Sequence, residues 1–287
     1  MTASATTTKN RVSHASGGWG SPWVYLVAFL LIGLCIGPAI YIILGGFRTN
    51  SQIIMDPVAL PDPWVVSNYI DIILGNLFWR ELWNSLVCAV GTTVGVVVLG
   101  LMASYAIARY PFFGREAMFA YFSAGLMFPM TVAITPLYIM VRDLGLMNSH
   151  AGISLPQIAF ALPMTVIILV PFLRAIPKEL EEAAFVDGAG RLGFFVRMVL
   201  PLSASGVVTV GVLSFVASWN SYMLPLFILN EEALYTLPLG VQAFASQWSV
   251  DTARVLAFVS LSMIPALVFF STMEKRIVGG LTGAVKG

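Results

Sequence analysis

The chain is built of long apolar blocks separated by short polar intervals. Six blocks, at about 23–47, 83–108, 117–141, 151–173, 198–229 and 255–273, carry almost no charge, and each reaches the roughly 20 residues that an α-helix needs to cross a bilayer. The blocks are continuous, whereas the strands of a membrane barrel alternate in short stretches, so the pattern predicts helices. The expected fold is therefore all-α, a polytopic membrane protein with six transmembrane helices. The fifth block is longer than a bilayer requires, which predicts tilt, a kink at Pro225 or a re-entrant start at Pro201. Before the first block, residues 1–20 are rich in Thr, Ser and Gly with Lys9 and Arg11, the composition of a disordered cytoplasmic tail. Residues 21–287 read as a single transmembrane domain.

One interval breaks the pattern. From Ile176 to Leu202 the chain reads IPKELEEAAFVDGAGRLGFFVRMVLPL, the longest charge-bearing stretch of its second half. Pro177 is acceptable at the first helical position, where its missing N–H has no partner to lose. Glu179, Glu181 and Glu182 then fall at the positive end of the helix dipole, and Gly188 supplies a left-handed C-cap after Asp187. These signals bracket a short helix of about two to three turns. Ala183 and Ala184 offer a small face for close packing, and Phe194 and Phe195 can anchor the next segment to the membrane core. From the residues alone two readings stand: a solvated connection shaped by its own caps, or a docking element.

Composition agrees with the pattern. Of 287 residues, 58% are hydrophobic and 10% charged, against about a quarter charged in a soluble domain, and mean hydropathy is +0.88. The lipid bilayer is the solvent for most of the chain. With the N-terminus inside, eleven basic residues face the cytoplasm (Lys9, Arg11, Arg109, Arg115, Arg174, Lys178, Arg191, Arg197, Lys275, Arg276 and Lys286) and four face outward (Arg48, Arg80, Arg142 and Arg254). That bias predicts both termini and the 174–197 interval on the cytoplasmic side. No basic cluster of the kind that binds nucleic acid is present.

Chemistry is sparse. Cys35 and Cys88 both lie inside apolar blocks and read as small hydrophobes rather than a disulfide or metal site. His14 and His150 lie outside the blocks. There is no phosphate-binding loop of the G-x-x-x-x-G-K-[ST] kind, no nucleophile with its base, and no paired carboxylates in a pocket. The blocks also lack the ionisable residues that usually mark proton or ion coupling, so active transport would draw its energy from another subunit. Between the first two blocks, residues 48–82 carry Asp56, Pro57, Pro61, Asp62, Pro63 and Asp71 with Trp64, Tyr69 and Trp83. The prolines predict an extended segment and the aromatics a return along the membrane interface; it reads equally as a linker or as a contact for an extracytoplasmic partner.

Glu182-Ala183-Ala184, two further residues, Asp187-Gly188-Ala189, then Phe195 and Leu200-Pro201-Leu202 resemble the EAA signature of permease subunits in binding-protein-dependent ABC importers. The resemblance is to the carbohydrate-uptake branch, typified by the smaller permease of maltose-type systems. Matching stretches are Ser104-Tyr105-Ala106, Ala108-Arg109, Phe113-Gly114-Arg115, Pro129, Pro136-Leu137-Tyr138, Leu144-Gly145-Leu146 with Asn148, Trp219-Asn220, Thr236-Leu237-Pro238-Leu239-Gly240, and the tail from Gly280 to Gly287. Coverage is roughly residues 20–287.

The resemblance implies a permease domain over 21–287 in a prokaryotic cytoplasmic membrane, paired with a second homologous permease on two cytoplasmic ATPase subunits. ATP and Mg would be bound by those ATPase subunits, with no cofactor in this chain and no catalysis by it. An extracytoplasmic sugar-binding protein would deliver the sugar substrate. The 174–197 interval becomes a coupling loop whose helix docks into the ATPase through Glu182, Ala183, Ala184, Asp187 and Gly188, with Arg191 as a secondary contact or a positive-inside anchor. Trp219 and Asn220 become substrate-path residues, since an aromatic beside an amide suits a sugar; the same pair also suits helix packing. Other classes consistent with the residues are an ABC permease for a polyamine or oligopeptide, and a membrane scaffold that recruits a cytoplasmic partner. The kinking prolines Pro129, Pro136, Pro163 and Pro225 favour a moving pore over a scaffold.

Overall fold

A computed structural model describes residues 22–245 and 249–285, with side chains of the last helix as far as Met273. The tail expected over 1–20 lies outside the described residues, as do Lys9, Arg11, Lys286 and Gly287. The described residues are helical, with an isolated bridge between Ala245 and Val250.

Four helices are continuous membrane spans: α1 (Pro22–Gly45), α4 (Asn76–Arg109), α7 (His150–Arg174) and the first part of α14 (Thr252–Val285). The other two expected spans are bent pairs. The third is α5 (Arg115–Gly125) followed by α6 (Met130–Asp143), turned by 100°. Pro129 is the N-cap of α6, with extended backbone; it has no N–H to continue a helix and disfavours helical geometry at Phe128. The fifth combines α9 (Arg191–Phe194), a π turn over Phe195–Val199, α10 (Leu200–Leu202) and α11 (Ala204–Trp219). Its 74° bend falls at Ser203, whose hydroxyl donates back to the Val199 carbonyl at 2.7 Å. The expected kink at Pro225 does not occur. Pro225 lies in the first turn of the separate helix α12 (Met223–Ile228), where a missing N–H costs nothing.

The segment 48–82 is more helical than its prolines suggested. It holds α2 (Asn50–Met55) and α3 (Ser67–Leu74). A capping box between Thr49 and Gln52 starts α2, and the buried Arg48 guanidinium ends it by donating to the Gln52 carbonyl at 2.7 Å and to that of Pro57 at 3.0 Å. Short side-chain caps here outweigh proline content. The exposed Trp64 and Trp83 retain the aromatic, interface-like surface.

The centre of the molecule is the α4–α7 pair. Small residues let the two backbones approach: Gly91 faces Ser154, Gly95 faces Ile158 and Gly100 faces Thr165, the way membrane helices associate when lipid supplies no hydrophobic drive. α11 packs against both, and one acceptor ties all three together near its C-terminal end. The Gln157 side-chain oxygen takes hydrogen bonds from Thr92 at 2.9 Å and Ser218 at 2.6 Å. Cys88 is buried in this core and Cys35 is exposed on α1, both as free thiols. By contrast α1 is buried only at its last residue, Gly45, which lies against Leu256 of α14.

One expectation about charge needs correction. α4 begins at Asn76 rather than 83, and its added turns carry Glu81 inward until it is fully buried. The signal was present in the spacing. Phe78, Glu81, Ser85, Cys88 and Thr92 recur every three or four residues on the buried face of α4.

Candidate functional site

The interval that stood out in the sequence folds as an elbow at one end of the bundle. α8 (Lys178–Val186) begins one residue later than expected, because Pro177 is its N-cap with ψ 140° rather than its first helical residue. Its far end is a Schellman motif. Gly188 sits at φ 82°, its N–H donates to the Phe185 carbonyl at 3.1 Å, and that of Ala189 donates to the Ala184 carbonyl at 2.9 Å. Both bonds satisfy carbonyls that the helix end leaves open. The chain then reverses through the extended Gly190 into α9.

The two alanines do not share a face. Ala183 is exposed, while Ala184 packs against the buried cluster of Leu173, Ile176, Phe194 and Val199. Successive residues of an α-helix point about 100° apart, so one faces out when the other faces in. The outward surface is made by Glu182, Ala183, Val186 and Asp187, with Leu192 beside them. Arg191 lies with its guanidinium 5.7 Å from the centre of the Tyr110 ring. Phe194 is buried, with its ring 5.9 Å from that of Phe185, and Phe195 packs 4.9 Å from Tyr105.

A residue noted in the sequence as a positive charge and as part of the Ala108-Arg109 match, with no contact assigned to it, ties this elbow to the bundle. Arg109, the last residue of α4, has a side chain that is 5% exposed. It donates to the Ile176 carbonyl at 2.7 Å and forms an ion pair with Glu181 in the first turn of α8. A second bridge runs from Arg174, at the end of α7, to Glu116 at 2.9 Å in the first turn of α5.

Trp219 and Asn220 lie at the far end of α11. Trp219 is buried and stacks on Phe215, 5.7 Å between centroids and 17° between planes. Asn220 is exposed, and its amide donates to the Val216 carbonyl one turn back at 3.0 Å. Both border an open groove of about 390 Å³ whose other walls are mostly apolar, including Leu237, Pro238, Phe258 and Met263. Leu237 and Pro238 belong to α13 (Leu237–Gly240). Above them, Asn84 of α4 donates to the carbonyls of Ala233 and Tyr235 at 2.9 and 3.0 Å, and Ser85 accepts from the Leu237 N–H at 2.8 Å. Asn148 clasps the end of α12, taking a hydrogen bond from the Asn230 N–H at 2.7 Å. The elbow and the groove therefore lie toward opposite ends of α4. Among the described residues no three His, Cys, Asp or Glu side chains come together to hold a metal ion.

The family model for the inner membrane component of binding-protein-dependent transport systems matches residues 96–278. The trehalose transport system permease protein of Mycobacterium tuberculosis is 37% identical over 261 residues, 90% of this chain and 95% of that protein. A diacetylchitobiose uptake system permease protein of Streptomyces coelicolor is 31% identical over 251 residues, 87% of this chain and 83% of that one. In fold, the chain resembles a subunit of a bacterial ABC transporter involved in import of the acidic polysaccharide alginate, with a TM-score of 0.73 at 21% identity over 88% of this chain and 95% of the other. Half and more of the chain lies inside the family match, and the chain belongs to the inner membrane components of binding-protein-dependent ABC transport systems.

Proposed function

We propose that this permease is one half of the membrane pore of an ATP-driven sugar importer. The observation that carries this reading is the capped α8 helix, which turns Glu182, Ala183 and Asp187 outward on a short rod braced to the bundle at its first turn and closed by its own glycine cap at the other end. Such a rod is the shape a soluble motor can grip. Two cytoplasmic ATPase subunits would supply the motion, with ATP and Mg bound there; this chain performs no covalent chemistry of its own. A second, homologous permease completes the path, and an extracytoplasmic binding protein delivers the solute. The termini and the elbow face the cytoplasm, as the basic-residue bias supports.

Sugar is the favoured solute because relatives at 31% and 37% identity are named for diacetylchitobiose and trehalose uptake. ATP-driven closure of the ATPase pair would shift the spans between inward- and outward-open arrangements, through differential affinity for the two states. Trp219 and Asn220 border the groove at the other end of α4. The exposed Asn220 offers its amide oxygen to a hydroxyl, while the buried Trp219 shapes the wall.

The test is reconstitution of the complete complex in liposomes with its binding protein, measuring labelled-sugar uptake and ATP hydrolysis together. Uptake that depends on ATP and on the sugar-loaded binding protein is the expected outcome. Hydrolysis indifferent to every sugar-loaded binding protein, alongside uptake of another solute, would overturn the sugar assignment.

A further inference from the structure

Among the described residues every long helical path but one is bent or carries an internal proline, α1 at Pro38 and α14 at Pro265 included. The α5–α6 pair turns by 100° and the α9–α11 path by 74°, and α7 contains Pro156, Pro163 and Pro171. α4 contains neither a proline nor a break across 34 residues, about 51 Å at 1.5 Å per residue. Both ends of this rod are tied to functional segments. At the outer end Asn84 and Ser85 hold residues 233–237, which lead into the groove wall at Leu237 and Pro238. At the elbow end Arg109 grips the Ile176 carbonyl ahead of α8 and the Glu181 carboxylate within it.

We propose that Arg109 is the positioning residue that makes the α8 coupling helix and α4 move as one body. Through it, displacement of α8 reaches the outer groove along α4. The assignment rests on the importer reading given above and names the joint through which that reading works. The geometry suits the task. A guanidinium offers several donors in a fixed plane, so one buried side chain holds α8 at two points, its lead-in carbonyl and its first turn. Two points fix direction as well as distance. The neighbouring Arg191–Tyr110 contact is exposed and rests on a single ring face, so it cannot replace this grip.

The test uses the whole complex, with Cys35→Ala and Cys88→Ala to clear the background. Val186→Cys, on the exposed side of α8, reports docking by cross-linking to the ATPase. Pro238→Cys reports the outer groove by its labelling rate with a membrane-impermeant maleimide, with and without ATP. Arg109→Gln is expected to keep the Val186→Cys cross-link and ATP hydrolysis, to lose the ATP-dependent change at Pro238→Cys, and to lower sugar moved per ATP by about tenfold, within the range of network couplings. Glu181→Gln, which leaves the bond from Arg109 to Ile176 in place, is expected to fall between. Arg109→Lys, which keeps the charge but not the planar fork, is expected to recover part of the sugar moved per ATP while leaving the Val186→Cys cross-link unchanged.

An Arg109→Gln complex with unchanged sugar per ATP and an unchanged labelling response overturns the proposal. So does loss of the Val186→Cys cross-link in parallel with uptake, which would make Arg109 a support for docking alone. If Val186→Cys fails to cross-link to the ATPase even with Arg109 present, the docking reading of α8 itself falls, and this joint falls with it.

Discussion

Glu81 packs on Gly240: a Cβ built on that glycine would overlap the Glu81 carboxyl group. Glu81 is fully buried on α4, and among the described residues its carboxyl oxygens accept no hydrogen bond. Gly240 ends α13, so this contact seats the loop onto the same helix from which Asn84 and Ser85, one turn further along, hold residues 233–237.

Gly240→Ala should therefore be costly, because the carboxyl has no solvent to retreat into. Forced overpacking of this kind costs about 1–3 kcal/mol. Glu81→Ala should relieve it, so the double variant should be more stable than the sum of the singles predicts, as touching residues do. Thermal unfolding of the purified subunit in detergent, run on the full double-mutant cycle, measures this; strict additivity would remove the contact from the account.

Gly188 is a backbone requirement and not a spatial one. Its φ is 82°, and no atom lies within 4 Å of where a Cβ would stand. Gly188→Ala and Gly188→Leu should cost the isolated subunit the same, about 1 kcal/mol for a left-handed residue. In the complex they should separate, with Leu lowering ATPase-coupled uptake further than Ala. Equal uptake from both variants would place Gly188 away from the docking surface.

Gln157 should behave as a three-helix knot. Replacing it with Leu removes the acceptor for both Thr92 and Ser218. The expected loss is about 1 kcal/mol, since hydrogen bonds between membrane helices average near 0.6 kcal/mol and reach about 1.7. Thr92→Val, which leaves the Ser218 bond intact, should cost roughly half as much. Unfolding curves of the two variants, side by side, check the ratio.

The glycines of the spans should divide into two sets. Gly100 faces the Thr165 methyl, a β-branched group whose rotation is restrained by the bond from its hydroxyl to the Ala161 carbonyl at 2.9 Å. Gly100→Ala should destabilise the chain by about 1–3 kcal/mol. Gly37 has nothing within 4 Å, so Gly37→Ala should leave the isolated subunit's melting unchanged.

The sequence by itself determined the helical class, the positions of the apolar blocks and the short capped helix at 178–186. These are local properties: block length against bilayer thickness, a proline near the start, carboxylates in the first turn, a glycine past the end. Even the outward Ala183 and inward Ala184 follow from helical period once the buried side is known. Tertiary structure decided the rest. Excess length pointed to a bend in the fifth block and Pro129 stood among the kinking prolines, but the position and size of the turns, 100° and 74°, were decided by what packs beside Pro129 and Ser203. Arg109 and Glu181 stand 72 positions apart, and Thr92 and Gln157 65, so each pair meets only in the folded bundle. Charge counting saw Arg109 as a positive residue at a membrane edge, and only burial and a carboxylate from another helix turned it into a joint. The groove beside Trp219 is likewise formed by α11, α13 and α14 together, since a concave surface needs walls that chain order does not place next to one another.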